Sequence, residues 1–477
     1  MDELIAQSAL QLAAGIRSGR YSSRQVVDAH IERSVRMQPR IHALVVDSYA
    51  AARRQADLCD AQLQESRQRG EERSWPPLWG VPCTIKESLA VTGMPQTAGS
   101  IHRRHIIAEN DAPSVQRLRE AGAIVLGVSN TSELCMWMES FNPVYGRTNN
   151  AYDARRTAGG SSGGEGAIVG AGGSPIGLGS DIGGSIRMPA MFNGVFGHKG
   201  SPGLISNAGQ YPSPQGIAQE MLATGPLCRR ATDLPTVVGL LAAKPTLSAE
   251  VAAVDVSRLR VLRLRPDYAP HPDRAQTAAL ARALQALEER GARVEDCNLP
   301  GLDQAIDIWS HMLVSAGSLS FAEMMFGDRH LTSSLRGLGQ LLQRHPPHTL
   351  PLVLLSLLER IPAHMPERMR RCLAQGEALR QELMDRLGDD GVLLDLPYPR
   401  QAPRHYHAML RPFQFVRSAI YNALRLPATA CPMGLDGGLP TGVQVIAAPD
   451  RDALTLAVAG VLEQAGGGWV DPLAQLS

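Results

Sequence analysis

Aromatic residues make up only 4% of this chain of 477 residues, and its formal net charge is +1. A nucleic-acid binder usually shows stacking rings or an excess of basic charge, and with neither present no nucleic-acid partner is expected. Long apolar runs are missing as well. No stretch reaches the roughly 20 residues needed to span a bilayer, and the acidic start Met1-Asp2-Glu3-Leu4 lacks the basic-then-apolar texture of a secretory leader. The seven cysteines, Cys59 to Cys431, include no C-x-x-C pair. Neither a zinc site nor a disulfide framework is expected, and the reading is of a protein in a reducing compartment, the cytoplasm.

Lysine is the scarcest charged residue. The 47 basic residues comprise 3 Lys and 44 Arg, and the lysines are Lys86, Lys199 and Lys244. Arginine evidently serves wherever a fixed positive charge is wanted, so a retained lysine draws attention as a group that can lose its proton. What remains is ordinary globular composition, 44% hydrophobic and 19% charged, with chain enough for a large core.

Residues 2–37 read as helical, with Ile5, Ala9, Leu12 and Ile16 at helical spacing and Ser22-Ser23 placed to cap a further helix. Residues 60–76 are polar and read as surface. Two places then share one grammar, in which a helix face ends at a glycine and β-branched residues follow. One runs through Val115, Leu118 and Gly122 into Ile124-Val125, and the other through Leu280, Leu284, Leu287 and Gly291. Helices alternating with buried strands predict an α/β architecture with a parallel or mixed sheet. From 157 to 203 the chain is rich in Gly and Ser, yet Ile, Leu, Met and Phe interleave, which a flexible linker would not do. Such a stretch lets backbone approach backbone or substrate. Residues 333–372 hold Leu350-Pro351-Leu352-Val353-Leu354-Leu355 between arginines. A core or substrate-channel helix is the simpler expectation, and an interfacial helix pair with basic flanks near lipid headgroups is the sharper one.

Three serines stand out: Ser161, Ser162 and Ser185. Gly159-Gly160-Ser161-Ser162-Gly163 fits the G-x-S-x-G nucleophile elbow, but that chemistry needs a downstream acid and histidine, and neither His198 nor His405 stands in a telling context. Gly177 to Gly183 has one residue too many for a dinucleotide loop, and no G-K-[ST] follows for a P-loop. Gly183-Gly184-Ser185 fits a third chemistry. Two residues without side chains precede a serine, so their N–H groups are free to converge on an oxyanion. A serine needs a base, and Lys86 lies in the strand-like run Val81-Pro82-Cys83-Thr84-Ile85-Lys86. Burial there would lower its pKa toward the range of a general base. Alternation would send Glu87 to the other face.

The segment Gly159-Gly160-Ser161-Ser162-Gly163-Gly164 continues to Gly179-Ser180-Asp181-Ile182-Gly183-Gly184-Ser185-Ile186-Arg187, with Lys86 upstream. Together these resemble the amidase signature family over most of the chain. The phrases Glu133 to Ser140, Gly163-Gly164-Glu165-Gly166, Gly197-His198-Lys199 and Gly466-Gly467-Gly468-Trp469-Val470 place the resemblance nearest its fatty-acid amide hydrolase branch. The resemblance implies one domain with a large twisted mixed β-sheet covered by helices on both faces. Within it, residues 1–75 would be an N-terminal helical part and 76–240 the signature core. Residues 241–390 would be a helical, substrate-channel part, and 391–477 the C-terminal part of the core.

Position by position, the resemblance implies Ser185 as nucleophile, Ser161 as bridging serine at a cis non-proline peptide, and Lys86 as base. The amides of Ile182, Gly183, Gly184 and Ser185 would form the oxyanion hole. Cys135 would line the substrate site, and Met136 and Met138, which otherwise read as core, would border an acyl channel. The reaction implied is hydrolysis of a small-molecule carboxylic amide through an acyl-enzyme, with no metal or cofactor. A homodimer, and peripheral membrane contact through residues 333–372, belong to the same expectation. Rival readings are another amidase-signature activity, including the amidotransferase subunit that supplies ammonia, and a catalytically silent lipid-binding scaffold. Lys199, Asp181 and Arg187 read as structural. Gly200 departs from the proline that the family often has after the lysine at 199, and the N-terminus shows no membrane span.

Overall fold

The computed structural model describes residues 2–71, 74–264, 270–315, 320–360, 365–466 and 468–475. Gly467, and residues 361–364 of the stretch 333–372, lie outside the described residues. In chain order the strands are β1 Leu44–Asp47, β2 Pro82–Lys86, β3 Ile124–Ser129, the short pair β4 Phe141–Asn142 and β5 Gly146–Arg147, β6 Ile176–Asp181 and β7 Phe196–Lys199. They continue with β8 Ala223–Cys228, β9 Arg260–Leu264, β10 Arg293–Cys297, β11 Gly391–Asp395, β12 Ala428–Asp436 and β13 Leu439–Ala447. All but β4 and β5 join one 11-stranded sheet in the order β1-β3-β2-β6-β8-β7-β12-β13-β11-β9-β10. The sheet is mixed, because β2 runs parallel to β3 and β6, and β9 runs parallel to β10 and β11, while the other pairings are antiparallel.

Alternation along the central strands feeds two separate cores. Val443, Val445 and Ala447 of β13 join one apolar cluster and Ile446 joins another, and on β11 Val392 and Leu394 part from Leu393 in the same way. Since successive side chains leave opposite faces of a strand, both faces of the sheet are covered. On one face lie Ala283 and Leu287 of the helix Arg274–Glu289 and Leu456 and Ala459 of the helix Asp452–Gly466. On the other lie Ile308 and Met312 of the helix Ala305–Ser315 and Leu379 and Leu383 of the helix Pro366–Leu387.

The local signals act as the sequence predicts. Ser22 caps the helix Ser23–Ile41 in a reciprocal box with Gln25. Gly122 (φ 89°) and Gly291 (φ 91°) take the left-handed turn between a helix and the next strand. The part from 241 to 390 also supplies β9 and β10 at the far end of the sheet, with β10 following Gly291 as the helix–glycine–strand pattern predicts. β9, which lies between β11 and β10, has no such glycine before it and carries Arg260 and Arg263 in its five residues.

Parallel pairing places the site. β2 and β6 are neighbours running the same way, with Thr84 beside Gly177 and Ile85 beside Leu178, so Lys86 and Asp181 both end strands at one edge of the sheet. The chain beyond β6 makes the turn Ile182-Gly183-Gly184-Ser185 and enters the helix Arg187–Phe192. The carboxyl ends of parallel strands are where open α/β sheets hold their ligands.

Candidate active site

Lys86 is wholly buried, and its Nζ lies 2.7 Å from Ser161 Oγ and 3.0 Å from Ser180 Oγ. Burial lowers its pKa from the ordinary lysine value, against Cys135, Asp181 and Glu165, which favour the ammonium. Ser161 sits where the chain arrives from Gly159 (φ 87°), and the Gly160–Ser161 peptide is cis, as the resemblance implied. Gly160 has no room for a side chain: a Cβ there would lie 2.4 Å from the carbonyl oxygen of Trp137. The helix Gly163–Gly170 begins directly after these serines and carries Ala167, Ile168 and Val169 into the core.

Ser185 is 7% exposed, in contrast to the sealed Lys86, and it lines a cavity with Cys135, Met136, Trp137, Met138, Gly160, Ile182, Gly183, Met188, Trp309, Leu355 and Phe415. A second, smaller cavity touches Ser161, Ser180, Cys135 and Gln210. Ser161 therefore stands between the buried amine and the open site. Among the described residues Ser185 Oγ has no hydrogen-bond partner, so the structure joins Lys86 to Ser161 and brings Ser185 to the same site without closing the last link.

The turn before Ser185 is built on Asp181. Its carboxylate accepts from the N–H groups of Gly184 (2.7 Å) and Ile186 (3.1 Å) and pairs with Arg187 through both Nε and Nη2, each at 3.0 Å. Arg187 and these amides hold the Asp181 pKa far below the usual carboxylate range despite its burial. Here the oxyanion expectation needs correcting. The Gly184 amide is taken by Asp181, whereas those of Ile182, Gly183 and Ser185 donate to no group among the described residues. Gly184 (φ 105°) supplies a left-handed turn instead, packed so closely that a Cβ would lie 2.5 Å from that of Ser418. Trp309 Nε1 donates to the Ile182 carbonyl at 2.9 Å and holds the turn from the opposite side.

Cys135 and Met136 reach the cavity from a turn in which Leu134 (φ 49°) and Cys135 (φ 59°) are both left-handed, a costly arrangement for two residues with side chains. Glu133 ties that turn to the apolar stretch, accepting from Thr349 N at 2.7 Å and pairing with His348 Nδ1 at 2.8 Å. The helix Leu350–Leu358 starts there and sends Leu355 into the cavity. Met138 also lines the cavity, but it is largely buried and packs on Tyr398.

The histidines of the elbow reading are occupied elsewhere. His198 bridges Thr429 Oγ1 (2.9 Å) and Asp452 Oδ1 (3.2 Å), and His405 Nε2 meets the Ala154 carbonyl at 3.1 Å. Lys199 is fully buried in β7, and burial pushes its pKa down to about 7, but it makes no hydrogen bond to the serines. Glu87 turns away from Lys86 to the amides of Thr97 and Ala98 and to Tyr145 Oη. Among the described residues, no group of three or more His, Cys, Asp or Glu could hold a metal ion. Leu355 comes from the stretch expected as a core or substrate-channel helix, whereas sequence reasoning did not find Met188, Trp309 and Phe415. They are ordinary apolar residues from distant segments, and their only signal was hydrophobicity.

The sequence pattern of the amidase family matches residues 25–456. Fatty-acid amide hydrolase 2-A of Danio rerio is 42% identical over 98% of this chain and 90% of its own length. Fatty-acid amide hydrolase 2 of Homo sapiens is 39% identical over 99% of this chain and 91% of its own. A solved crystal structure of an amidase superimposes with a TM-score of 0.76 at 28% identity, covering 96% of this chain and 99% of that one.

Proposed function

Since the chain belongs to the amidase signature family, we propose that it hydrolyses fatty-acid or other hydrophobic acyl amides through an acyl-enzyme on Ser185. The amide-hydrolase activity is that of the family, and the roles of individual residues are our reading. Neutral Lys86 takes the proton of Ser161 as Ser161 takes that of Ser185, and Ser185 Oγ attacks the carbonyl carbon. The oxyanion meets the amides of Ile182, Gly183 and Ser185. The relay then runs backwards, delivering the proton to the departing amine. Water, deprotonated through the same serine, cleaves the ester and frees the acid. One donor in such a hole is worth about 2.7–4 kcal/mol at the transition state.

The observation that carries this reading is the sequestered amine 2.7 Å from Ser161, with Ser185 facing a cavity walled by Met136, Met138, Met188, Trp309, Leu355 and Phe415. A wall of thioethers, leucine and rings suits an alkyl chain and offers a polar acyl group nothing. The hydrophobic preference is tested by kcat/KM across acyl anilides from acetyl to palmitoyl. A rise with chain length is expected, and a preference for acetyl or for a polar acyl group would overturn it.

The same proposal includes a peripheral membrane contact. Leu350, Leu354 and Leu358 project outward from the helix that turns Leu355 inward, and Leu331, Leu335 and Leu342 are exposed nearby. An apolar face adjoining the substrate cavity, in a stretch of chain that also holds Arg344 and Arg360, fits an interfacial element. Among the described residues, no helix is long and apolar enough to cross a membrane. Flotation with anionic vesicles tests the contact, and sedimentation velocity tests the homodimer expected from the family. A protein that stays at the bottom of the gradient would remove the membrane part and leave the amidase reading intact.

A further inference from the structure

Behind Lys86 lies a second pairing that the reaction just described leaves unused. Thr84 and Lys86 are two apart on β2 and leave the same face, while Ser161 and Glu165 are four apart around the start of the helix Gly163–Gly170. Lys86 meets Ser161 at 2.7 Å, and Thr84 Oγ1 donates to Glu165 Oε2 at the same distance. Strand and helix thus face each other across two rungs, one reactive and one carrying a wholly buried carboxyl group. Room for that group has been built in. A Cβ on Gly177, in the adjoining strand β6, would lie 2.0 Å from Glu165 Oε2, so the glycine leaves the space the carboxyl fills. Glu165 Oε1 has no hydrogen-bond partner and is sealed from solvent.

We propose that Glu165 is a positioning residue for amide hydrolysis: through Thr84 it fixes the strand that bears Lys86, and its own charge governs when Lys86 holds a proton. This rests on the reading of Lys86 as the base. A carboxylate and an ammonium in one dry site each favour the charged form of the other. When Lys86 takes up the proton from Ser161, the positive charge appears beside a group able to balance it, whereas Asp181 is already committed to Arg187. Burial lifts Glu165 to about 7, against the Thr84 hydrogen bond and the charge of Lys86, which favour its anion, so the balance shifts in the pH range where the enzyme would work.

The other ionisable neighbours can be named. Cys83 and Lys86 come from β2, Asp181 from β6 and Cys228 from β8, while β3 carries none, and Cys135 faces Lys86 from its turn. Arg187 is paired with Asp181. From the helix Ser23–Ile41, Arg33 pairs with Asp471 and His30 Nδ1 meets the Val26 carbonyl. Burial pushes the pKa of Cys83 and Cys228 up, and burial with the neighbouring Arg229 pushes that of His30 down, so all three stay neutral near pH 7.

The test is the pH profile of kcat/KM on a medium-chain acyl p-nitroanilide for wild type, E165Q, T84V and T84S. The carboxamide of E165Q cannot supply an anion, so Lys86 should lose its proton more readily. The acid limb of E165Q should then move to lower pH by at least about half a unit. T84V, which removes the donor favouring the anion, should move it the same way by less, and T84S should restore the wild-type limb. A folded E165Q whose rate falls while its limb stays fixed would overturn the proposal. Should E165Q not fold, an unmoved limb in T84V would do the same. K86A separates the two readings, because residual activity that keeps the wild-type limb would show that Lys86 is not the base, whatever Glu165 does.

Discussion

The stretch 157–201 and the helices from 331 to 360 bound one cavity but are built to opposite rules. Every residue from 157 to 201 is buried, with glycines packed so that added atoms would strike backbone, whereas the helices mix buried Leu352 and Val353 with outward Leu354 and Leu358. The first stretch is fixed by polar atoms: Asp181 with Arg187, Ser162 Oγ to the Ser180 carbonyl, and Asn422 Nδ2 to Asp181. The helices are tethered to the rest by two carboxylates. Glu133 holds Thr349 N, and Glu359 holds the amides of Phe321 and Ala322. Chemistry that must place a proton within tenths of an ångström belongs in the close-packed stretch, and selection among apolar chains belongs in the looser one.

If that contrast is right, damage should scale with the region touched. The largest stability loss is expected for G164A, whose Cβ would meet the backbone N and O of Asn130 at 2.4 and 2.5 Å. Urea unfolding should show a loss of at least about 3 kcal/mol or no recoverable native protein, and a loss well below 1 kcal/mol would break the contrast. Next is a pH effect from Glu165. Its folded pKa of about 7 lies above the ordinary 4.5, so its contribution is fully present below 4.5 and is lost as pH rises through 7. Relative to wild type, E165Q should therefore gain thermal stability as pH climbs from 4.5 past 7, by on the order of 3 kcal/mol at most. A constant difference in Tm would contradict this. Smaller again is L355A in the cavity wall. It should lower kcat/KM for long acyl amides by roughly tenfold, with acetyl amides little changed. Least of all, L354S with L358S on the outer face should alter stability by no more than about 0.5 kcal/mol per site while weakening vesicle binding. A large loss of stability would mean that the face is core after all.

The sequence showed the compact stretch far better than the looser helices, for a physical reason. A buried lysine on a strand, a Gly-Gly-Ser turn and a Ser-Ser pair are rare residues in demanding places, so their identities nearly dictate their geometry, as Lys86 meeting Ser161 bears out. Trp309, Met188 and Phe415 could have been core anywhere, and only tertiary packing sets them around Ser185. The Gly184 amide shows a limit within the motif itself. The residues of the turn were readable, but which N–H the neighbouring Asp181 carboxylate would claim was not. The strand after Gly291 was legible, but β9 was hidden, because no helix-ending glycine precedes its five residues and two of them are arginines.

The assignment of Ser185 and Lys86 is tested most directly by labelling the protein with a fluorophosphonate probe and mapping the modified residue by mass spectrometry, beside S185A and K86A. Modification at Ser185, abolished in S185A and strongly slowed in K86A, is the predicted result. Modification at Ser161, or none on folded protein, would contradict the account.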